Sequence, residues 1–289
     1  MPEGEARKLL DELGMTELPI IPMDICRKLG IAYCEQPLKS IDGMLLVNLE
    51  TGIGLVSVNS WIREPTRKNF TCAHELGHYC LDLDDESRFV CSREDIESFK
   101  RGMRPIELRA NQFAAALLMP RFLFKPLVDE LEPEWDNIKV LSDMCRTSLL
   151  STAMRFMDMA EQACVLVVSR NCAVSWFHPS GRFQAFIDMD SRMLSSGTIA
   201  HQVFHGLEPP NNFEVVKADN WVSGRGVTAE AELLEWTLPM NSYGQVLTIL
   251  LDEEGIEGWG KEEYAEDRDD DECSTEWEPM VFRKSKRKK

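Results

Sequence analysis

The stretch Phe70-Thr71-Cys72-Ala73-His74-Glu75-Leu76-Gly77-His78 decides how the rest of the sequence is read. From Thr66 to about Leu83 the pattern is helical. Residues four apart on a helix lie on one face, so His74 and His78 can offer both imidazoles to one ion. Glu75 adjoins the first of them, where its carboxylate can serve as general base toward a water at the metal. Gly77 is expected to leave room beside the metal.

A catalytic zinc keeps one coordination position for water, so a third protein ligand must come from elsewhere in the chain. Glu107 is the candidate. It opens a run that continues to Pro120, in which Glu107, Ala110, Ala114 and Leu117 share a face. The small alanines permit a second helix, from about Pro105 to Met119, to lie close against the first. Glu107 would then face the histidine pair, completing a two-histidine, one-carboxylate centre of the hydrolytic kind. With only 5 histidines in the chain, a chance match to the spacing is rare.

Outward from these helices, Ala6, Leu9, Leu10 and Leu13, then Ile25 and Leu29 between Pro22 and Gly30, predict two short N-terminal helices. Residues 31–59 are short apolar runs broken by glycine, read as a small sheet with a hairpin around Glu50-Thr51-Gly52. Residues 121–162 read as helical, with Ile138, Leu141, Leu149 and Phe156 on an apolar face. Past Ala163 strands dominate: Cys164–Val168, a hairpin of Ala173–Phe177 with Arg182–Ile187 around Pro179-Ser180-Gly181, then Val215–Val222, Ala229–Leu238 and Val246–Leu251.

At 289 residues the chain exceeds the roughly 100 to 200 residues of one domain. The expected organisation is α+β throughout: a zincin-like domain of helices and a small sheet over 1–120, a helix-turn-helix-like extension over 121–162, a mostly antiparallel α+β regulatory domain over 163–252, and an acidic then basic disordered tail over 253–289.

Nine cysteines, an odd number with no Cys-x-x-Cys pair, suit reduced thiols in a cytoplasm. The charged start Met1-Pro2-Glu3-Gly4-Glu5 carries no apolar signal core, and no stretch approaches a membrane span of about 20 residues. A net charge of -17 argues against a broad phosphate-binding surface and favours a protein or peptide partner. Direct nucleic-acid binding is not expected: Lys139, Arg146 and Arg155 are the only cations in the apolar stretch 138–156.

Other candidates read more plainly. His201 and His205 repeat the four-residue spacing, yet Gln202 replaces the glutamate and no acidic partner follows, so packing or surface histidines are expected. His178, before Pro179, reads as solvent-exposed, Tyr79 as a packing residue, and Cys72 and Cys80 as small core residues rather than redox sensors.

The segment Phe70–His78 together with Glu107–Pro120 resembles the ImmA/IrrE family of metallo-endopeptidases, and the likeness runs from near Ala6 to Asp158, about half the chain. The resemblance implies His74, His78 and Glu107 as zinc ligands and Glu75 as catalytic acid/base. It also implies a helix-turn-helix transcriptional repressor as the protein substrate, in stress response or mobile-element regulation. Zinc is the expected cofactor with manganese the alternative, and affinity order favours zinc. Asn69 departs from the family, which often has arginine there, without touching the ligands. The family's larger form adds a helix-turn-helix-like segment and a C-terminal GAF-like sensor domain. Two rivals stand beside the peptidase: a non-proteolytic antirepressor and a toxin-antitoxin partner, each holding a transcription factor without cutting it.

Overall fold

The computed structural model describes residues 1–83, 88–92, 104–187, 193–223 and 227–256. The expected tail falls outside these residues from 257 onward. The chain is α+β and divides into two compact units, the first holding 1–124 and 142–148, the second 125–141 and 149–256 of the described residues.

The first unit opens with helices α1 (Pro2–Glu12) and α2 (Pro22–Lys28), each with proline in its first turn, where the missing N–H costs nothing. Strands β1 (Ala32–Gln36), β2 (Gly43–Val47), β3 (Gly54–Asn59) and β4 (Arg88–Cys91) form one sheet in the order β1-β3-β2-β4. The expected hairpin joins β2 to β3. Its turn is tied by Asn48 Oδ1, which accepts from the backbone N–H of Glu50 and Thr51 at 3.0 and 3.1 Å, and by Gly52 at φ +71°. The sheet is not wholly antiparallel, because β1 runs parallel to β3, pairing Ala32 with Leu55 through Gln36 with Asn59.

Helices α3 (Pro65–Leu81) and α4 (Pro105–Leu118) pack on each other, and α1 covers α4. Pro105 starts α4 and Pro120 follows its end, as a residue without an N–H requires. Ala6, Leu10, Ile25, Leu45, Leu76 and Phe113 are fully buried in the core between sheet and helices. The boundary between units falls within α5 (Arg121–Asp129) and α6 (Trp135–Cys145).

The second unit takes in α7 (Leu149–Met157) and a five-stranded antiparallel sheet. Its strands β5 (Cys164–Arg170), β6 (Ala173–Pro179), β8 (Glu214–Lys217), β10 (Glu232–Met240) and β11 (Gln245–Leu251) lie in the order β6-β5-β11-β10-β8. A separate two-stranded ribbon pairs β7 (Phe186–Ile187) with β9 (Val222–Ser223). Helix α8 (Ile199–Phe204) packs on β10 and β11.

The hairpin around Pro179-Ser180-Gly181 is not formed. Ser180 turns back to the start of β5 instead: its Oγ donates to the Gln162 carbonyl at 2.7 Å and accepts from Cys164 N–H at 3.1 Å. The hairpin is β5–β6, closed by Asn171 and Cys172, both left-handed at φ +50° and +60°. That turn lacks the glycine that would have marked it. The expected strand Val215–Val222 is likewise broken by a 3-10 turn over Ala218–Asn220. No helix of the described residues is long and apolar enough to cross a membrane.

Candidate metal centre

His74, Glu75 and His78 lie on α3 and Glu107 in the first turn of α4, all at most 2% exposed. His74 Nε2 and Glu107 Oε2 are 3.1 Å apart, the two Nε2 atoms 3.1 Å, and His78 Nε2 and Glu107 Oε2 3.4 Å. The other face of each ring is occupied. His74 Nδ1 donates to Asn111 Oδ1 at 2.8 Å, and His78 Nδ1 donates to Asp82 Oδ2 at 3.0 Å. With both Nδ1 protons committed, two imidazole lone pairs and a carboxylate oxygen converge on one point, an arrangement that repels unless a cation lies among them.

The donor set fits zinc. Tetrahedral bonds of about 2.0–2.1 Å place ligand atoms about 3.3–3.4 Å apart, within a few tenths of the separations found. Glu107 is ready to bind as carboxylate. Burial alone would raise its pKa, but the hydrogen bonds and charge of His74 and His78 outweigh it and hold the group at about 2. Arg104 pairs with Oε1, leaving Oε2 toward the histidines. Phe89 of β4 stacks on the His78 ring, centroids 4.6 Å apart, and walls that side with apolar surface.

Two glycines let the parts approach. A Cβ on Gly77 would meet Ala110 Cα at 3.0 Å and its carbonyl oxygen at 3.1 Å, so Gly77 serves the close crossing of α3 and α4 rather than space beside a metal. A Cβ on Gly43 would meet Thr71 Cγ2 at 2.5 Å and would overlap the Glu75 carboxylate, so only glycine lets β2 pass that close to Glu75.

A family model described as the IrrE N-terminal-like domain, peptidase M78, matches residues 26–155. Residues 26–155 thus resemble the ImmA/IrrE family. The radiation response metalloprotease IrrE of Deinococcus deserti is 31% identical over 121 residues, covering 42% of this chain and 41% of that protein. Its Deinococcus radiodurans counterpart is 29% identical over 119 residues, covering 41% of this chain and 34% of the relative. The chain thus matches less than half of the length of these curated relatives. Among solved structures, a Mycobacterium tuberculosis transcriptional regulator aligns over 87% of this chain and 75% of its own, with TM-score 0.51 and 14% identity, a likeness of fold alone. A metalloprotease family implies a divalent metal and a protein substrate.

Within this segment, residues not singled out from sequence support the site. Asp82 and Asn111 stand four residues beyond His78 and Glu107, and the same helical spacing that picked out the histidines would have found them. Asp82 is itself held by Arg109 at 2.5 Å. Tyr79 packs against the core, as expected. Burial pushes the Cys80 thiol up to about 12, and a hydrogen bond with Cys26, aided by burial, raises that of Cys72, so neither is a reactive thiolate. Asn69 donates to the Arg146 carbonyl at 3.3 Å. In the second unit, His178 is partly exposed and pairs with Asp158 at 2.7 Å.

Proposed function

We propose that the first unit is a zincin-like, zinc-dependent endopeptidase domain in which His74, His78 and Glu107 hold the metal and Glu75 is the catalytic acid/base. The observation that carries this reading is the convergence of three lone-pair donors within 3.4 Å, with both Nδ1 atoms occupied elsewhere.

Zinc, when bound, supplies a Lewis acid that polarises the scissile carbonyl and lowers the pKa of water toward about 7. The remaining work is done by the chain. A Glu75 carboxylate oxygen takes the proton of the attacking water and returns it to the leaving nitrogen of the peptide. Asn111 and Asp82 fix the imidazole orientations, and Phe89 limits solvent around His78.

The substrate in this reading is a helix-turn-helix transcriptional repressor, in stress response or mobile-element regulation, and the second unit is a regulatory, GAF-like module. Free thiols at all eight described cysteines support a cytoplasmic setting; Cys26 and Cys72, 3.8 Å apart, share a hydrogen bond and no disulfide. The test is to incubate zinc-loaded protein with helix-turn-helix repressors from the same genome and read intact masses. A single cut that disappears in Glu75→Gln, which keeps its zinc, is expected. Cleavage retained by Glu75→Gln overturns the mechanism, and a stable uncut complex favours the antirepressor or toxin-antitoxin reading.

A further inference from the structure

The second unit holds another cluster of metal-ligating side chains. Cys172, His201 and His205 each place a donor atom within 4.8 Å of the other two. The histidines were read as packing residues because no acidic partner follows them along the chain; the missing third donor is a thiol 29 residues before His201, brought in by the β5–β6 turn.

Three features beyond the stacking of the two rings bear on the cluster. First, Cys172 occupies a left-handed position, φ +60°, in a two-residue turn after Asn171. Asn-Gly is the favoured pair for such a turn, and a side chain there costs on the order of 1 kcal/mol, so the chain keeps a thiol where glycine would be more stable. Second, His205 Nδ1 donates to the His201 carbonyl at 2.8 Å, which commits its lone pair to Nε2. The His201 and His205 rings stack, with centroids 4.1 Å and planes 23° apart, so a ring rotation is needed to bring both lone pairs onto one ion.

Third, both sides of the cluster are fixed by bonds that do not use the three donor atoms. Leu194 N–H donates to the Cys172 carbonyl at 3.0 Å, and Ala173 bridges Met193, which ties the turn to the segment leading into α8. Thr198 caps α8 by accepting from His201 N–H at 3.1 Å. The buried Glu235 carboxylate accepts from Ile199 and Ala200 N–H at 3.0 and 2.7 Å.

We propose that Cys172, His201 and His205 form a second metal site, for a divalent transition ion of the zinc class, with a coordination position left open. Thiolate plus imidazole is a donor set that selects zinc-like ions over magnesium or calcium. Ligand atoms around zinc lie about 3.3–3.7 Å apart, so roughly 1 Å must still be closed. His205, exposed, and Cys172, through its χ1, have the freedom to close it. Metal there would staple the β5–β6 turn to α8.

The site is testable apart from the peptidase centre, which contains no sulfur ligand. Cobalt(II) is titrated into the full-length protein, following bound metal and the thiolate-to-cobalt charge-transfer band. The expected result is a second molar equivalent and the band in the wild type, with both lost in Cys172→Gly. Glycine is the natural occupant of this turn, so that variant should fold at least as well as the wild type, checked by thermal unfolding. His78→Ala should leave the band intact, and His205→Ala should remove it. A band absent from the wild type, seen only with cobalt in large excess, or persisting in Cys172→Gly overturns the proposal.

Discussion

Replacing Gly77 with alanine sets helix propensity against packing. In an open helix the change stabilises by roughly 1 kcal/mol, because alanine loses less backbone entropy. At Gly77 the new Cβ would sit 3.0 Å from Ala110 Cα and 3.1 Å from its carbonyl oxygen, both backbone atoms that cannot rotate away. Relaxed carbon contacts lie near 3.5–4.0 Å, so α4 must retreat by on the order of 0.5 Å. Overpacking of this kind costs about 1–3 kcal/mol, and the backbone neighbours put it at the upper end. The expected net loss is therefore about 2 kcal/mol. Glu107 lies one turn before Ala110 on α4, so the same retreat would move it from His74 and His78 and weaken zinc binding by roughly tenfold, since ligand positions tolerate only about 0.2 Å. Urea unfolding of the metal-free protein and competitive zinc titration read the two effects. Gly4→Ala, where a Cβ meets nothing within 4 Å, is the control and should be neutral or slightly stabilising. A Gly77→Ala protein as stable as wild type, with unchanged zinc affinity, would refute the reasoning.

Asn111→Ala and Asp82→Ala should each lower zinc affinity by about 10–100-fold, by freeing the imidazole each one orients; unchanged affinity in a chelator competition would count against that role. Gly43→Ala should keep its zinc but lose most turnover, because the added methyl occupies the space of the Glu75 carboxylate; activity and metal content measured together decide it. Burial raises the pKa of Glu235, partly offset by donors from Trp221, Ala200, Ile199 and Thr237. A raised folded-state value gives stability that is full below the unfolded carboxyl range, about 4.3, and is lost as pH rises through the folded value. The stability of wild type minus that of Glu235→Gln should therefore fall with rising pH across that window, and urea midpoints that show a rise would contradict the assignment.

The sequence by itself determined whatever is local and periodic. The placement of His74 and His78 on one face, the glutamate between them, the two helices and their proline boundaries, and the hairpin at Asn48–Ile53 follow from helical spacing and turn chemistry within a few residues. Asp82 and Asn111 were legible by the same spacing. What the tertiary structure decided is non-local. The parallel pairing of β1 with β3, the function of Gly77 in a helix crossing, the clearance at Gly43 and the meeting of Cys172 with His201 and His205 depend on segments distant along the chain. Periodicity says which face of an element is apolar or polar; it carries no record of which other element, at what distance, that face will meet. The displaced hairpin has the same origin: Pro179-Ser180-Gly181 has turn chemistry, but the Ser180 hydrogen bonds to Gln162 and Cys164 set where that turn leads.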